Sequence, residues 1–446
     1  MSVPRVLLAP THRTFLANGL AALTAEALGR RSRQVRFHHL GAGGPAAAWD
    51  RWEGSSFLDP SLYSMETMLE LYELATRGAE ISLLSSDRGL FDTSAGFPWS
   101  PAEAARRLDC PVVLLVHCRG WGESIAALVG GFKERMGDLN LGGVILTGLQ
   151  DQEHEQSIRG TLAQSGVPVL GGLFAGRDLA WDARPPGAWG LPPAEELVEQ
   201  VISRLDLPVL EQVAGQRGFL AGRAAVRDHD DDGPLVAIAS GRGFTPWSRD
   251  SVDVLRAAGA RVWRLDLAAD GSLPDEVAGL VVAGSLWPES LEDLAANYTL
   301  MRQLRVLVQE GLPTLALGGG MVYFLRRVQD TRGRTFDLAG VLPSEGEILT
   351  ELEEPAYFEV RAERSTLLLD PGETVQGWMV TDADIMHAPV TRSFPLSVRE
   401  HGAADWQLEG AATPTLLCSR ILVHLASAPG TARRFVDACR RYQEGH

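Results

Sequence analysis

Short apolar runs alternate with helix-length amphipathic stretches through two series. In the first, "RVLLAP" (5–10), "QVRFHHLG" (34–41), "AEISLLSS" (79–86), "PVVLLVH" (111–117), "GGVILTG" (142–148) and "VPVLGGLF" (167–174) read as strands. Between them lie stretches such as "FLANGLAALTAEALGR" (15–30) and "GESIAALVGGFKERM" (122–136), whose apolar residues recur at helical spacing. Strands that are apolar on both faces and alternate with helices predict a parallel sheet covered on both sides. A second series starts at "PLVAIAS" (234–240) and continues through the helix "RDSVDVLRAAG" (249–259) and the strands "ARVWRLDL" (260–267), "VAGLVVAG" (277–284) and "LPTLALGG" (312–319). The helix "LEDLAANYTLMRQLRVLVQEG" (291–311) precedes the last of these. Residues 340–418 are poorer in helical pattern; the strand "RILVHLAS" (420–427) and the helix "GTARRFVDACRRYQ" (430–443) close the chain.

Between the two series the pattern breaks. "EQVAGQRGFLAGRAAVRDHDDDGP" (211–234) has glycine, charge and no sustained period. The expected organisation is therefore a domain over 1–210, a linker over 211–233 and a domain over 234–446. The acidic run Asp228, Asp230, Asp231 and Asp232 reads as a solvated linker, because adjacent carboxylates on a loop repel unless ligands converge from elsewhere.

Composition narrows the function classes. The net charge of −16 disfavours nucleic acid or an anionic membrane surface as partner. No stretch approaches the ~20 uninterrupted apolar residues of a membrane-spanning helix, and the N-terminal segment lacks a signal-peptide pattern; the cytoplasm is the expected compartment. Cys110, Cys118, Cys418 and Cys439 form no C-x-x-C pair, so they read as buried reduced thiols. The single lysine, Lys133, is the one candidate for any chemistry that requires lysine.

The stretch "TLALGGGMVYF" (314–324) is a strand turning sharply into a helix, the shape that presents a nucleophile in many enzymes. Here the turn holds Gly318, Gly319 and Gly320, which have no side chain to attack with. With "FLDPSLYS", "GLFD", "CPVVLLV", "GGVILTG", "GVPVLGGL", "VDVLRAAGARV", "VAGSLWPESLEDLAAN" and "LVHLASAP", it forms a collinear set spanning almost the whole chain. This set resembles the cobyrinic acid a,c-diamide synthase family. The resemblance implies an N-terminal P-loop-like doubly wound parallel sheet and a C-terminal class I glutamine amidotransferase-like α/β domain. It also implies an activity in two halves: activation of a corrin carboxylate by ATP and Mg²⁺, and release of ammonia from glutamine to form the amide. Relatives act on other modified tetrapyrroles.

Residue by residue, the chain departs from that pattern at both sites. The family's phosphate loop is rich in glycine and ends in G-K-T. The equivalent "LLAPTHRTFLANGLAAL" (7–23) is shorter, has no glycine in the loop and no lysine nearby; Thr14 stands nearest the Mg²⁺-binding threonine. Ser85, His117 and Thr147 stand where the resemblance assigns an acidic residue, an Asp and a base-reading Asn. ATP and Mg²⁺ binding through that site is expected to be lost. In the C-terminal half, Gly318 takes the position of the cysteine nucleophile and Leu422 that of the catalytic histidine. His424 matches a second family histidine, and the oxyanion-type turn persists in "GSLWPE" (284–289). A nucleophile relocated to Cys418 is a minor alternative.

The candidate ligand residues are Asp59, Asp92, His39, His117, Trp121, Trp287 and Trp378. Asp59 in "FLDP" and Asp92 in "GLFD" match family positions, and both also suit turn or capping roles. Trp121, Trp287 and Trp378 fall at expected loop positions, where their rings could stack on a tetrapyrrole or pack at a domain edge. His39 and His117, with His38, lie near strand ends, where ligand crevices form; an axial bond to a cobalt or iron tetrapyrrole and ordinary packing both fit them. The expected function is that of a catalytically degenerate family member. It would bind a corrinoid or other metallo-tetrapyrrole, or assemble with an active paralogue or pathway enzyme, as a homodimer or hetero-oligomer. The alternative is an amidase that uses glutamine or ammonia through substituted residues.

Overall fold

The computed structural model describes residues 3–14, 16–31, 33–42, 56–93, 98–174, 195–216, 232–241, 244, 247–386, 394–428 and 430–445, without the side chains of 56, 350–354, 380–382 and 386. Asp228, Asp230 and Asp231 lie outside the described residues. The chain forms two compact units, Met1–Pro60 with Met65–Ala224 and Ser61–Ser64 with Ala225–His446.

The first unit is the α/β doubly wound parallel sheet that the alternating pattern predicts. Its strands are β1 (Arg5–Pro10), β2 (Val35–Leu40), β3 (Ser56–Leu58), β4 (Ile81–Ser85), β5 (Val112–His117), β6 (Leu141–Leu149) and β7 (Val169–Phe174). Its helices are α1 (Leu16–Arg30), α2 (Met65–Ala75), α3 (Pro101–Arg107), α4 (Ile125–Met136), α5 (Gln152–Gln164), α6 (Glu195–Arg204) and α7 (Leu207–Ala214). The strand order is β3-β2-β4-β1-β5-β6-β7, with every pair parallel. Val6, Leu7 and Leu8 are fully buried, as are Val112, Val113 and Leu114. Helices on both faces explain why these strands are apolar at consecutive rather than alternate positions. Because β1 lies between β4 and β5, the C-terminal ends of these strands frame the crevice where chain order reverses. Residues 211–214, expected to open the linker, instead complete α7. Asp206 caps that helix by accepting the Val209 amide, and Leu210 and Val213 are buried, so packing extends order past the loss of pattern.

The second unit holds two sheets. One has the order β18-β19-β11-β10-β8-β9, built from β8 (Leu235–Ser240), β9 (Arg261–Asp266), β10 (Val277–Gly284), β11 (Thr314–Gly318), β18 (Ala411–Thr413) and β19 (Leu416–Ser419). All its pairs are parallel except β18 with β19. The other runs β13-β12-β14-β15-β20 and is mainly antiparallel, from β12 (Leu325–Gln329), β13 (Thr335–Asp337), β14 (Leu342–Ala362), β15 (Thr374–Met386) and β20 (Leu422–Val423). Beside β14 runs β16 (Leu396–Glu400), itself paired with β17 (Gln407–Glu409). The helices are α8 (Arg249–Ala257), α9 (Leu291–Ala296), α10 (Tyr298–Gln309), α11 (Gly319–Tyr323) and α12 (Thr431–Gly445).

Two sequence expectations change here. The single helix over 291–311 is two, broken at Asn297. That side chain accepts the Leu300 amide and donates to the carbonyls of Leu267 and Asp270, bonds that a continuous helix would forfeit. The closing strand shrinks to Leu422–Val423, because His424 caps a short 3₁₀ turn over Leu425–Ser427.

Candidate functional site

In the second unit, β11 runs straight into α11 through Gly318, whose backbone sits at φ 61° and ψ −126°. Residues other than glycine adopt such a conformation at a cost of about 1–3 kcal/mol. This is the strained geometry of a nucleophile elbow, held by a residue with no side chain. The two glycines that follow have a different reason. A Cβ on Gly319 would overlap the Leu286 amide nitrogen, and one on Gly320 would overlap the Val282 carbonyl oxygen. The helix can lie on β10 and the turn after it only because both positions lack a side chain.

The space in front of the elbow is filled. A Cβ on Gly318 would stand 2.7 Å from the Gly284 carbonyl oxygen and 2.7 Å from Cγ of Leu422. Leu422 is buried in β20, paired with Trp378 of β15. The residue at the expected base position thus occupies the room a nucleophile would need. Sequence comparison flags each position separately; only the fold brings Gly318 and Leu422 face to face.

His424 lies two residues further on and is fully buried. Its Nδ1 accepts the Ala426 amide at 3.2 Å, which places the ring proton on Nε2. Nε2 lies 3.1 Å from Ser248 Oγ, which in turn donates to Ser251 Oγ at 2.8 Å. Tyr63 meets the imidazole edge-on, with ring centroids 4.9 Å apart, and Trp378 lies at 6.0 Å. Burial lowers its pKa to about 3. A serine–histidine pair can activate the serine only if Nε2 is free to take the hydroxyl proton. Here Nε2 carries a proton and donates it, so the pair is a packing and capping arrangement. Ser251 falls inside the helix that the sequence pattern predicts over 249–259, whereas that pattern does not mark Ser248.

Cys418 does not substitute for the missing nucleophile. It sits inside β19, in register with Ala316 rather than with the elbow, and is fully buried. Burial alone pushes its thiol far up, so it stays protonated. All four cysteines are free and buried.

In the first unit, only residues 11–15 join β1 to α1. Thr11 donates its amide to the Leu115 carbonyl at 3.1 Å, and Thr14 donates to the Asp87 carbonyl at 2.8 Å. The Leu16 amide donates to Thr14 Oγ1 at 3.2 Å. The amides of Thr11, Thr14 and Leu16 are therefore committed to protein acceptors. Lys133 lies on α4 and donates to the Ser165 carbonyl at 3.3 Å. Ser85 ends β4, where its hydroxyl donates to Asn18 Oδ1 at 2.9 Å and lies 3.4 Å from Nδ1 of His39. His117 ends β5 and lies 3.4 Å from the hydroxyl of Thr147, so two of the substituted positions meet each other.

The ligand candidates divide by exposure. His39 is buried beside Ser85 and Asn18, and burial lowers its pKa. Asp59 is fully buried and accepts the Ala42 amide at 2.6 Å, a turn-fixing role. Trp378, expected in a loop, lies instead in β15, and it is buried under His424 because its strand pairs with β20. The others reach solvent. Asp92 is exposed, closing a turn on Gly89. Trp287 is half-buried ahead of a 3₁₀ turn at Pro288–Ser290. His117 is exposed, 6.2 Å in ring centroid from His12, and Trp121 is 41% exposed on the loop after β5. The Trp121 carbonyl lies 2.7 Å from Nε2 of His154, which steadies that loop. Among the described residues no cluster of three or more His, Cys, Asp or Glu side chains could hold a metal ion, and no helix is long and apolar enough to cross a membrane.

No protein-family model matches the chain. It is similar over nearly its whole length to curated proteins. The cobyrinate a,c-diamide synthase of Syntrophotalea carbinolica is 27% identical over 483 residues, covering 99% of each chain. The hydrogenobyrinate a,c-diamide synthase of Streptomyces coelicolor is 29% identical over 493 residues, covering 98% of each. That of Thermobifida fusca is 29% identical over 442 residues, covering 90% of this chain and 87% of the relative.

Proposed function

We infer, for a chain that belongs to the cobyrinate and hydrogenobyrinate a,c-diamide synthase family, a non-catalytic role in tetrapyrrole or corrinoid metabolism. It neither hydrolyses glutamine at the elbow nor activates a carboxylate with ATP at the crevice of the first unit. It acts as a tetrapyrrole-binding protein or as the partner of an active paralogue or pathway enzyme. The observation that carries this reading is the contact between Gly318 and Leu422: the nucleophile position has no side chain, and the base position fills its room. The committed amides of Thr11 and Thr14 support it independently. Free thiolate, free imidazole and free backbone donors are the minimum for the family's two half-reactions.

The accessible ligand face on this reading is the C-terminal crevice of the first unit, with His12, His117 and Trp121. Its imidazoles would approach a tetrapyrrole metal or its carboxylates, and the indole would stack on the macrocycle. Two measurements test the reading. Incubation with glutamine, Mg·ATP and cobyrinate or hydrogenobyrinate should yield no glutamate and no product altered by one amide in mass. Absorbance titration with corrinoids and with sirohaem should give a saturable shift, weakened in Trp121→Ala. A one-amide product would instead establish an amidase acting through substituted residues. Absence of binding by every tetrapyrrole would leave only the partner role.

A further inference from the structure

The second unit carries two adjoining cavities, of about 650 Å³ and about 480 Å³. They lie against one face of α12 and the loop between β14 and β15, and Arg434 and Arg441 line both. Arg434, Asp437, Ala438 and Arg441 follow one another at helical spacing, so they share that face, and small Ala438 opens the groove between the arginines. The smaller cavity has Arg364, Arg434 and Arg441 on its wall, with the hydroxyl-bearing Ser365, Thr366 and Thr413, and no carboxylate. On a protein of net charge −16 this is a concentration of one sign against the background.

The charges are incompletely neutralised. Arg434 pairs with Asp370, with Glu373 at 3.8 Å. Asp437, on the wall of the larger cavity, is paired with Arg440 at 2.9 Å. Among the described residues Arg441 and Arg433 have no ion-pair partner. Ala412, Thr413 and Pro414 bring the smaller cavity to the N-terminal end of β19, whereas the elbow lies at the C-terminal end of the parallel neighbour β11. The groove is therefore separate from the elbow, at the opposite end of the strands of the same sheet.

We propose that this groove binds a small polyanion, a molecule bearing two or more carboxylate or phosphate groups. Guanidinium groups match both oxyanions with paired hydrogen bonds, and each cavity falls in the ~300–1,000 Å³ range of small-molecule sites. Arg434, already held by Asp370, forms the fixed wall between two subsites; Arg441 supplies charge to both, and Arg364 to the smaller. The inference does not depend on the tetrapyrrole reading.

The experiment is calorimetric titration of the full chain with two probes, tripolyphosphate and butane-1,2,3,4-tetracarboxylate. At least one should bind saturably, more weakly as salt rises. Arg364→Ala with Arg441→Ala should weaken that binding about tenfold or more. Ala438→Leu, which narrows the groove without changing charge, should weaken it as well, and thermal melting of both variants checks that they fold. Binding of tripolyphosphate alone assigns the groove to phosphates, and of the tetracarboxylate alone to carboxylates. Saturable binding of neither probe, or binding unchanged in both folded variants, overturns the proposal.

Discussion

The elbow of the second unit and the β1–α1 turn of the first differ in opposite ways from the pattern that the sequence resemblance implies. At the elbow the backbone is intact: Gly318 keeps the strained φ and ψ, and Gly319 and Gly320 keep the close approach to β10. The departure there is in side chains, with Leu422 seated where a side chain on Gly318 would stand. At the β1–α1 turn the backbone is short, and the Thr11 and Thr14 amides are bonded to the Leu115 and Asp87 carbonyls. The contrast follows from where each chemistry resides. A thiol–imidazole pair is two side chains, which can change while the turn survives. A phosphate cradle is a set of backbone donors, which can be withdrawn only by rebuilding the loop.

Substitutions can break this comparison, and the largest effect should come from Gly320→Ala. Its methyl group has no room beside the Val282 carbonyl, so helix and strand must separate. The second unit should lose more than about 4 kcal/mol, read by urea unfolding. A change below about 1 kcal/mol would mean that helix and strand separate at little cost.

Gly318→Cys should cost about 2–5 kcal/mol, from backbone strain together with overlap on Leu422, and should release no glutamate from glutamine. Adding Leu422→Ala should restore part of the loss, although that change alone costs about 2–5 kcal/mol by leaving a cavity. A double-mutant cycle with coupling near zero would deny that the two positions compete for one space.

The pH dependence sharpens the role of His424. Its pKa of about 3 in the fold lies below the ordinary 6.5, so between these values the unfolded chain holds a proton that the folded chain does not. Stability is full above pH 6.5 and falls by about 1.4 kcal/mol per pH unit as pH drops through that window. His39, shifted the same way by burial, adds a second contribution of the same sign in the first unit. His424→Asn should remove its share of the slope; an unaltered slope would assign it elsewhere. The smallest effect belongs to His12→Ala. Its exposed side chain should change stability by no more than about 0.5 kcal/mol, in contrast with every glycine of the elbow.

Much of the architecture was legible without coordinates. Consecutive apolar residues in β1, β4 and β5 announce strands covered on both faces, and Gly318–Gly320 after an apolar strand announce a tight strand-to-helix turn. The candidate ligand residues were less legible. His39, Asp59 and Trp378 share types and flanking sequence with exposed ligands, yet each is buried, because burial depends on which strand lies alongside. Trp378 illustrates this: its strand pairs with a two-residue strand more than forty positions away, and that pairing puts the indole beneath His424.

The sequence by itself determined the alternation of elements, the resemblance to a known family and the residue types at Gly318, Leu422 and the β1–α1 turn, since these rest on local periodicity and on collinear motifs. Only the tertiary structure decided that Leu422 fills the space before Gly318, that His424 holds its proton on the nitrogen facing Ser248, and that the arginines of α12 line one groove. Each of those depends on contacts between residues distant in sequence, and such contacts are set by strand order and helix packing rather than by any local pattern.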